Sequence, residues 1–177
     1  SLIPELLEKV DHLIVKIDTR LIPLFSRSFD QSIVYANKDD FVDEDSYDFQ
    51  IAMGSLPKLF RENEESFERV PKKYLKVDDI TTSNIRNKIK NSNYEKIVGI
   101  SWKTIAKSWE SRSRSLQLEE FILGIYSPKI KFICLQYGEV EKEVYNLKNK
   151  HGVEIELVND IDKFNDIDGL SSLISAC

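Results

Sequence analysis

The chain has 177 residues, 41% of them hydrophobic, and 25 Lys and Arg against 30 Asp and Glu give it a net charge of −5. That length fits one domain or two small ones, and the apolar content is enough to bury a real core. The acidic balance excludes a general polyanion binder, no apolar run reaches the roughly 18 residues of a membrane span, and Ser1–Val10 does not have a signal peptide's layout, so a cytoplasmic protein is expected.

In chain order, short apolar runs alternate with helical patterns. Leu2–Leu7 reads as a helix and His12–Ile17 as a strand, closed by Asp18-Thr19 as the cap of a helix that buries Leu21, Leu24 and Phe25. Ser32–Tyr35 is a second strand and Tyr47–Met53 a third. The acidic segment Asn37–Ser46 between them reads as a solvated loop without calcium-site spacing. Residues 58–94 shift to Lys, Glu and Asn, with Thr82-Ser83-Asn84 as the cap of a helix through Ile85–Ile89. Three lengths of chain follow from this: 1–70 as part of a first α/β lobe, 71–95 as a connection, and 96–177 as half of a second lobe.

The second lobe has the clearer rhythm. Lys96–Trp102 is a nearly continuous apolar run, as in a parallel strand covered on both faces. Leu118, Phe121, Ile122 and Ile125 share one helical face, and Pro128 helps to end that helix. Ile130–Leu135 is the next strand. Val140, Val144 and Leu147 line a further helix with Gly152 just past its end, Val153–Val158 is a third strand, and Leu170, Leu173, Ile174 and Cys177 begin another helix. Strand and helix alternating in this way predict an α/β fold with a parallel, doubly wound sheet. The helical pattern at each end lacks the strand that should flank it, so the chain reads as an internal piece of a longer protein.

Cys134 lies in an apolar strand pattern and Cys177 is the last residue, so both read as small hydrophobes in a reducing compartment. His12 and His151 have no cluster at ligand spacing, so no metal site is expected, and His151 beside Gly152 suits a helix carboxyl end. The chemistry-bearing stretch is GISWKTIAKSWESRSRSL, where cations and hydroxyls crowd the connection between a strand and a helix. In open α/β sheets ligands bind outside the carboxyl ends of the strands, where helix N-termini favour anions. Lys103, Lys107, Arg112 and Arg114 could add charge-assisted bonds to a diphosphate around a helix spanning Ser115–Ile125. Against that stands a solvated loop in which Glu110, Glu119 and Glu120 pair with the cations. SRSRS at 111–115 is too short, in too acidic a chain, for an RNA-binding segment, and of Trp102 and Trp109 the former reads as core.

Gly99-Ile100-Ser101-Trp102, Arg114-Ser115-Leu116-Gln117-Leu118 and Phe132–Gly138 resemble, in order, the G-x-x-W, R-S-x-x-L and L-Q-x-G segments of glycosyltransferase modules found downstream of tetratricopeptide repeats. These modules are related to the heptosyltransferases (glycosyltransferase family 9-like) and more distantly to the O-linked N-acetylglucosamine transferases. Ser1–Leu6, Asp18–Phe25, Arg27-Ser28-Phe29 and Ser55-Leu56-Pro57 resemble the amino-terminal lobe of the same family.

The resemblance implies the two-lobed glycosyltransferase B (GT-B) fold, two Rossmann-like lobes that are here both incomplete. It implies metal-independent transfer of a hexosyl or pentosyl unit from a nucleotide-sugar, bound by the carboxyl-terminal lobe, to a glycan or protein acceptor. Neither nucleic acid nor a membrane span is implied, and tetratricopeptide repeats belong upstream in the parent chain. Arg114 matches the basic residue set against the donor phosphates, where relatives often carry Lys. Lys103, Lys107, Ser115 and Gln136 fall on the donor side. The acidic base and a D-x-x-x-A-H-L-A segment are expected outside residues 1–177, which makes the piece inactive alone. The rival expectation is a non-catalytic ligand-binding or scaffold module derived from such a transferase.

Overall fold

A computed structural model describes residues 2–29, 31–68, 73–90, 93–104 and 113–177. The chain divides into two compact units, Ser1–Val77 and Asp78–Cys177. It is a mixed α/β protein with parallel strand pairing in each unit.

The first unit runs α1 (Ile3–Leu7), β1 (Ile14–Ile17), a 3-10 turn Thr19–Leu21, α2 (Ile22–Ser28), β2 (Val34–Asn37), α3 (Pro57–Phe60) and α4 (Glu65–Glu68). β1 and β2 pair in parallel from Ile14↔Val34 to Ile17↔Asn37. Asp18 begins the turn as expected: its carboxylate accepts the Arg20 backbone N–H at 3.0 Å and the Arg20 guanidinium at 2.9 and 3.0 Å. Those side-chain bonds pull the Asp18 carboxyl down to about 2. Ile3, Val15, Ile17 and Ile33 form the core, with Leu21 and Phe25 packed against it and Leu24 buried. The expected strand Tyr47–Met53 does not form. Its alternating Phe49, Ile51 and Met53 are exposed, Phe49 at 94%, and the stretch has no partner strand among the described residues. Alternation alone does not make a strand when no neighbouring ladder satisfies its backbone.

The second unit contains α5 (Asp79–Ile89), β3 (Lys96–Ile100), α6 (Leu118–Ile125), β4 (Ile130–Cys134), α7 (Glu141–His151), β5 (Ile155–Glu156) and α8 (Ile167–Ala176). The segment 71–95, expected as a connection, thus contributes α5 to this unit. That helix starts at Asp79, not at Ile85. Asp78 takes the Thr81 N–H at 2.6 Å, a stronger cap than the Thr82-Ser83-Asn84 run, and Thr82 is buried inside the helix.

The sheet order is β3-β4-β5, all parallel, with Lys96↔Ile130 through Ile100↔Cys134 and Phe132↔Ile155 in register. Alternation along β4 divides the core in two. Phe132 and Cys134 meet α6 and α7 through Leu118, Ile122, Val144 and Leu147. Ile133 and Leu135 meet α5 and α8 through Ile85, Ile89, Leu173 and Ala176. A central residue such as Ile133, with no exposed surface, contributes about 1.5–3 kcal/mol by its burial. Gly152 ends α7 at φ +68°, as its position predicts. Of the expected faces, Ile125 and Ile174 are exposed, and in α8 Ser172 and Ala176 face the interior in place of Ile174.

Candidate functional site

All three strands of the second unit point their carboxyl ends to one edge, and the β3–α6 connection, the β4–α7 turn and the segment after β5 emerge there. The β4–α7 turn is organised by Gln136, which is almost fully buried. Its amide oxygen accepts three bonds, from Ser101 Oγ at 2.9 Å, Trp102 N at 3.1 Å and Lys103 N at 3.0 Å. Its amide nitrogen donates to the Tyr137 carbonyl at 3.1 Å. Gln136 therefore ends β3 and ties it to β4. Gly138 follows with φ +88°, a conformation that glycine adopts without strain.

Trp102 is buried, as expected, and its indole N–H donates to Glu143 Oε2 at 2.9 Å. The other oxygen of Glu143 takes the Lys103 ammonium, which also reaches the Glu139 carbonyl at 3.3 Å and lies 6.0 Å from the Trp102 ring. Lys103 is thus neutralised within the fold. The connection is pinched beyond it: Leu116 N donates to Trp102 O at 2.8 Å and Thr104 N to Ser115 Oγ at 3.1 Å.

Ser115 ties the neck of the connection, and the expected helix 115–125 begins only at Leu118. Gln117 occupies the cap position without a side-chain bond, and the Ser115 hydroxyl accepts from Thr104 N. Glu119 and Glu120 fill the first helical turn. Glu119 does pair with cations, but with Lys150 at 2.6 Å and His151 at 2.9 Å from the end of α7, and these bonds lower its pKa. Arg114 is exposed and makes no ion pair among the described residues. Lys107, Trp109, Glu110 and Arg112 lie outside the described residues.

A cavity of about 190 Å³ opens at the carboxyl ends of β4 and β5, lined by Gln136, Tyr137, Gly138, Glu141, Lys163 and Phe164 among others. Tyr137 and Phe164 flank it with ring centroids 5.5 Å apart. Lys163 donates to the Val158 carbonyl at 2.5 Å, and no carboxylate pairs with it among the described residues. Glu141 turns back on the helix it begins, accepting Val140 N at 3.0 Å, and bonds from its own and that N–H lower its pKa.

Sequence reading missed Lys163 and Phe164 because they sit in NDIDKFNDID, an acidic run that looks like solvated loop. It missed Glu143 because that residue falls on the polar side of an amphipathic pattern. A larger hollow of about 470 Å³ beside β5 and α7 holds Lys131 and Lys148, but each is paired, with Glu156 and Glu154. Burial raises the pKa of the Cys134 thiol and leaves it unreactive. Among the described residues there is no group of three or more His, Cys, Asp or Glu able to hold a metal ion, and no helix long and apolar enough to cross a membrane.

Protein FlbA of Caulobacter vibrioides is similar to this chain, 26% identical over 196 residues that cover 99% of the chain and 32% of FlbA. The chain thus spans about a third of that protein's length. No family model and no solved structure matches it.

Proposed function

We propose that the chain is part of a glycosyltransferase of the GT-B kind, which moves a hexosyl or pentosyl unit from a nucleotide-sugar to an acceptor hydroxyl without a metal. One observation carries the reading. Arg114, exposed and without an ion pair among the described residues, stands four residues before α6 on the ligand-binding edge of a parallel sheet. The ordered resemblance of the G-x-x-W, R-S-x-x-L and L-Q-x-G segments supports it.

Bond cleavage at the sugar carbon builds negative charge on the departing diphosphate, so a guanidinium held there stabilises the transition state more than the ground state. The cavity beside Tyr137 and Phe164 suits the planar base of the same donor, since aromatic rings stack on such faces. The acceptor is a glycan or a protein, and tetratricopeptide repeats in the parent chain would present it. In the intact protein, Arg114→Ala is expected to lower kcat/KM about a hundredfold, as loss of one preorganised charge contact does. Titration with UDP-, GDP- and ADP-sugars, followed by turnover assays, measures it, and unchanged kinetics would falsify the role.

A second reading rests on different residues. Lys103 is neutralised by Glu143, Gln136 is committed to the backbone, and α6 carries Glu119 and Glu120 in its first turn. These favour a non-catalytic module derived from such a transferase. Nucleotide binding without sugar transfer by the intact protein would select it.

A further inference from the structure

Two acceptors from one turn hold the tripeptide Ser101-Trp102-Lys103. Gln136 takes the Ser101 hydroxyl and the Trp102 and Lys103 backbone N–H groups, and Glu143 takes the Trp102 indole and the Lys103 ammonium. The tripeptide is where β3 hands over to the cation-bearing connection, whose far end returns to the same place through Leu116 N and Ser115 Oγ.

We propose that Glu143 is a positioning residue: clamping Trp102 and Lys103 from the first turn of α7, it fixes residues 102–104, to which Ser115 and Leu116 are bonded, and so holds Arg114 ready for a diphosphate. The proposal deepens the glycosyltransferase reading and rests on it for the identity of the ligand. Its geometry stands on three features. Glu143 is the third residue of α7, where the helix dipole favours a carboxylate. Its two oxygens engage neighbouring residues on a different element, so both bonds restrain one short piece of backbone. And Lys103 has the aromatic face of Trp102 beside it, which holds the ammonium against the clamp. Lys103 is then a strut of the connection and not a phosphate ligand. Residues 136–141, which lead into the helix that carries Glu143, also wall the 190 Å³ cavity, so a ligand there and residues 102–104 share one support.

The test uses the intact protein and Glu143→Gln, which keeps size but removes the charge and one acceptor oxygen. Three readouts apply. Trypsin cleavage after Arg114 is expected to quicken about tenfold, because an opening of the Thr104–Ser115 and Trp102–Leu116 bonds eased by roughly 1.4 kcal/mol is ten times more populated. The midpoint of thermal unfolding is expected to fall by only about 4 °C or less. Affinity for UDP, GDP or ADP, whichever the parent binds, is expected to weaken about tenfold, and the same change in an Arg114→Ala background is expected to add nothing, since Glu143 would act through Arg114.

Lys103→Met removes one arm of the clamp and should give a smaller change in the same direction. Trypsin cleavage at the parental rate overturns the proposal, and so do losses that simply add in the double variant, which would mark a general packing role. If the parent binds none of the three diphosphates, the sugar-transfer reading falls, while the trypsin rates still decide whether Glu143 holds the connection.

Discussion

Gln136→Met tests how the carboxyl edge of the β3-β4-β5 sheet is held together. Methionine nearly matches glutamine in volume, so the substitution removes an acceptor without opening a large cavity. Three donors lose their partner. The Trp102 N–H is buried, and leaving it unpaired costs about 1–3 kcal/mol, while the half-buried Lys103 N–H and Ser101 hydroxyl lose about 0.5–1.5 kcal/mol each. Burying a thioether in place of an amide returns roughly 1 kcal/mol. The net expectation is a loss of about 1–5 kcal/mol. The second unit runs from Asp78 to Cys177, which is 177 − 78 + 1 = 100 residues. Its unfolding entropy of about 0.2 kcal/mol/K then makes this a fall of roughly 5–25 °C in Tm. Thermal and urea unfolding followed by Trp102 emission, in a Trp109→Phe background, reads the global loss. Amide exchange at Trp102 and Lys103 reads the local one. A midpoint within about 2 °C of the parent, with the Trp102 amide still slow to exchange, would refute the reasoning, because the three bonds would then contribute nothing net.

Two further outcomes follow from the same unit. A Cβ on Gly99 would lie 2.5 Å from Leu135 Cδ1 and 2.9 Å from its Cγ, so Gly99→Ala is expected to cost about 1–3 kcal/mol in urea unfolding, and an unchanged midpoint would show that Leu135 moves aside freely. Glu119 titrates below its ordinary 4.5 because Lys150 and then His151 bond to it, so its support is present above that pH and lost as pH falls through the lower folded value. The stability gap between parent and Glu119→Gln should therefore be open at pH 7 and narrow as pH falls below 4.5, and a gap independent of pH would break the argument.

Periodicity made the second unit legible. β4 and the buried positions of α7 stand where apolar spacing put them, because both faces of the strand and one stripe of the helix must leave water. Ends were less legible. β5 shrinks from the expected 153–158 to Ile155–Glu156, since it pairs with β4 alone among the described strands and only that side fixes its register. Tyr47–Met53 misled for a related reason: strand pattern describes a residue's fitness for a ladder, and says nothing of whether the ladder exists. Among site residues, Arg114 makes no ion pair among the described residues, although the sequence left its pairing with Glu119 or Glu120 open. The commitment of Lys103 and Gln136 was not expected, because their partner and their donors lie some 33 to 40 positions away in sequence.

The residues that carry the resemblance therefore divide by what already holds them. Gly99 makes room for Leu135, Trp102 is clamped by Glu143, Gln136 ends β3 and Gly138 supplies a positive φ. Each has a sufficient reason in the architecture of a strand end, and a scaffold without activity would need them as much as an enzyme would. Arg114 is different. An exposed guanidinium on a pinched connection contributes little to the fold, since surface charges of this kind are worth about 0–1 kcal/mol. Under the proposed sugar transfer, its position at the sheet's carboxyl edge would serve an arriving anion. The choice between enzyme and module thus turns on the residues that the fold can do without. A variant series across Gly99, Trp102 and Gln136 would report stability whichever reading is right, whereas Arg114 and the Tyr137–Phe164 pair are where the two readings predict different outcomes.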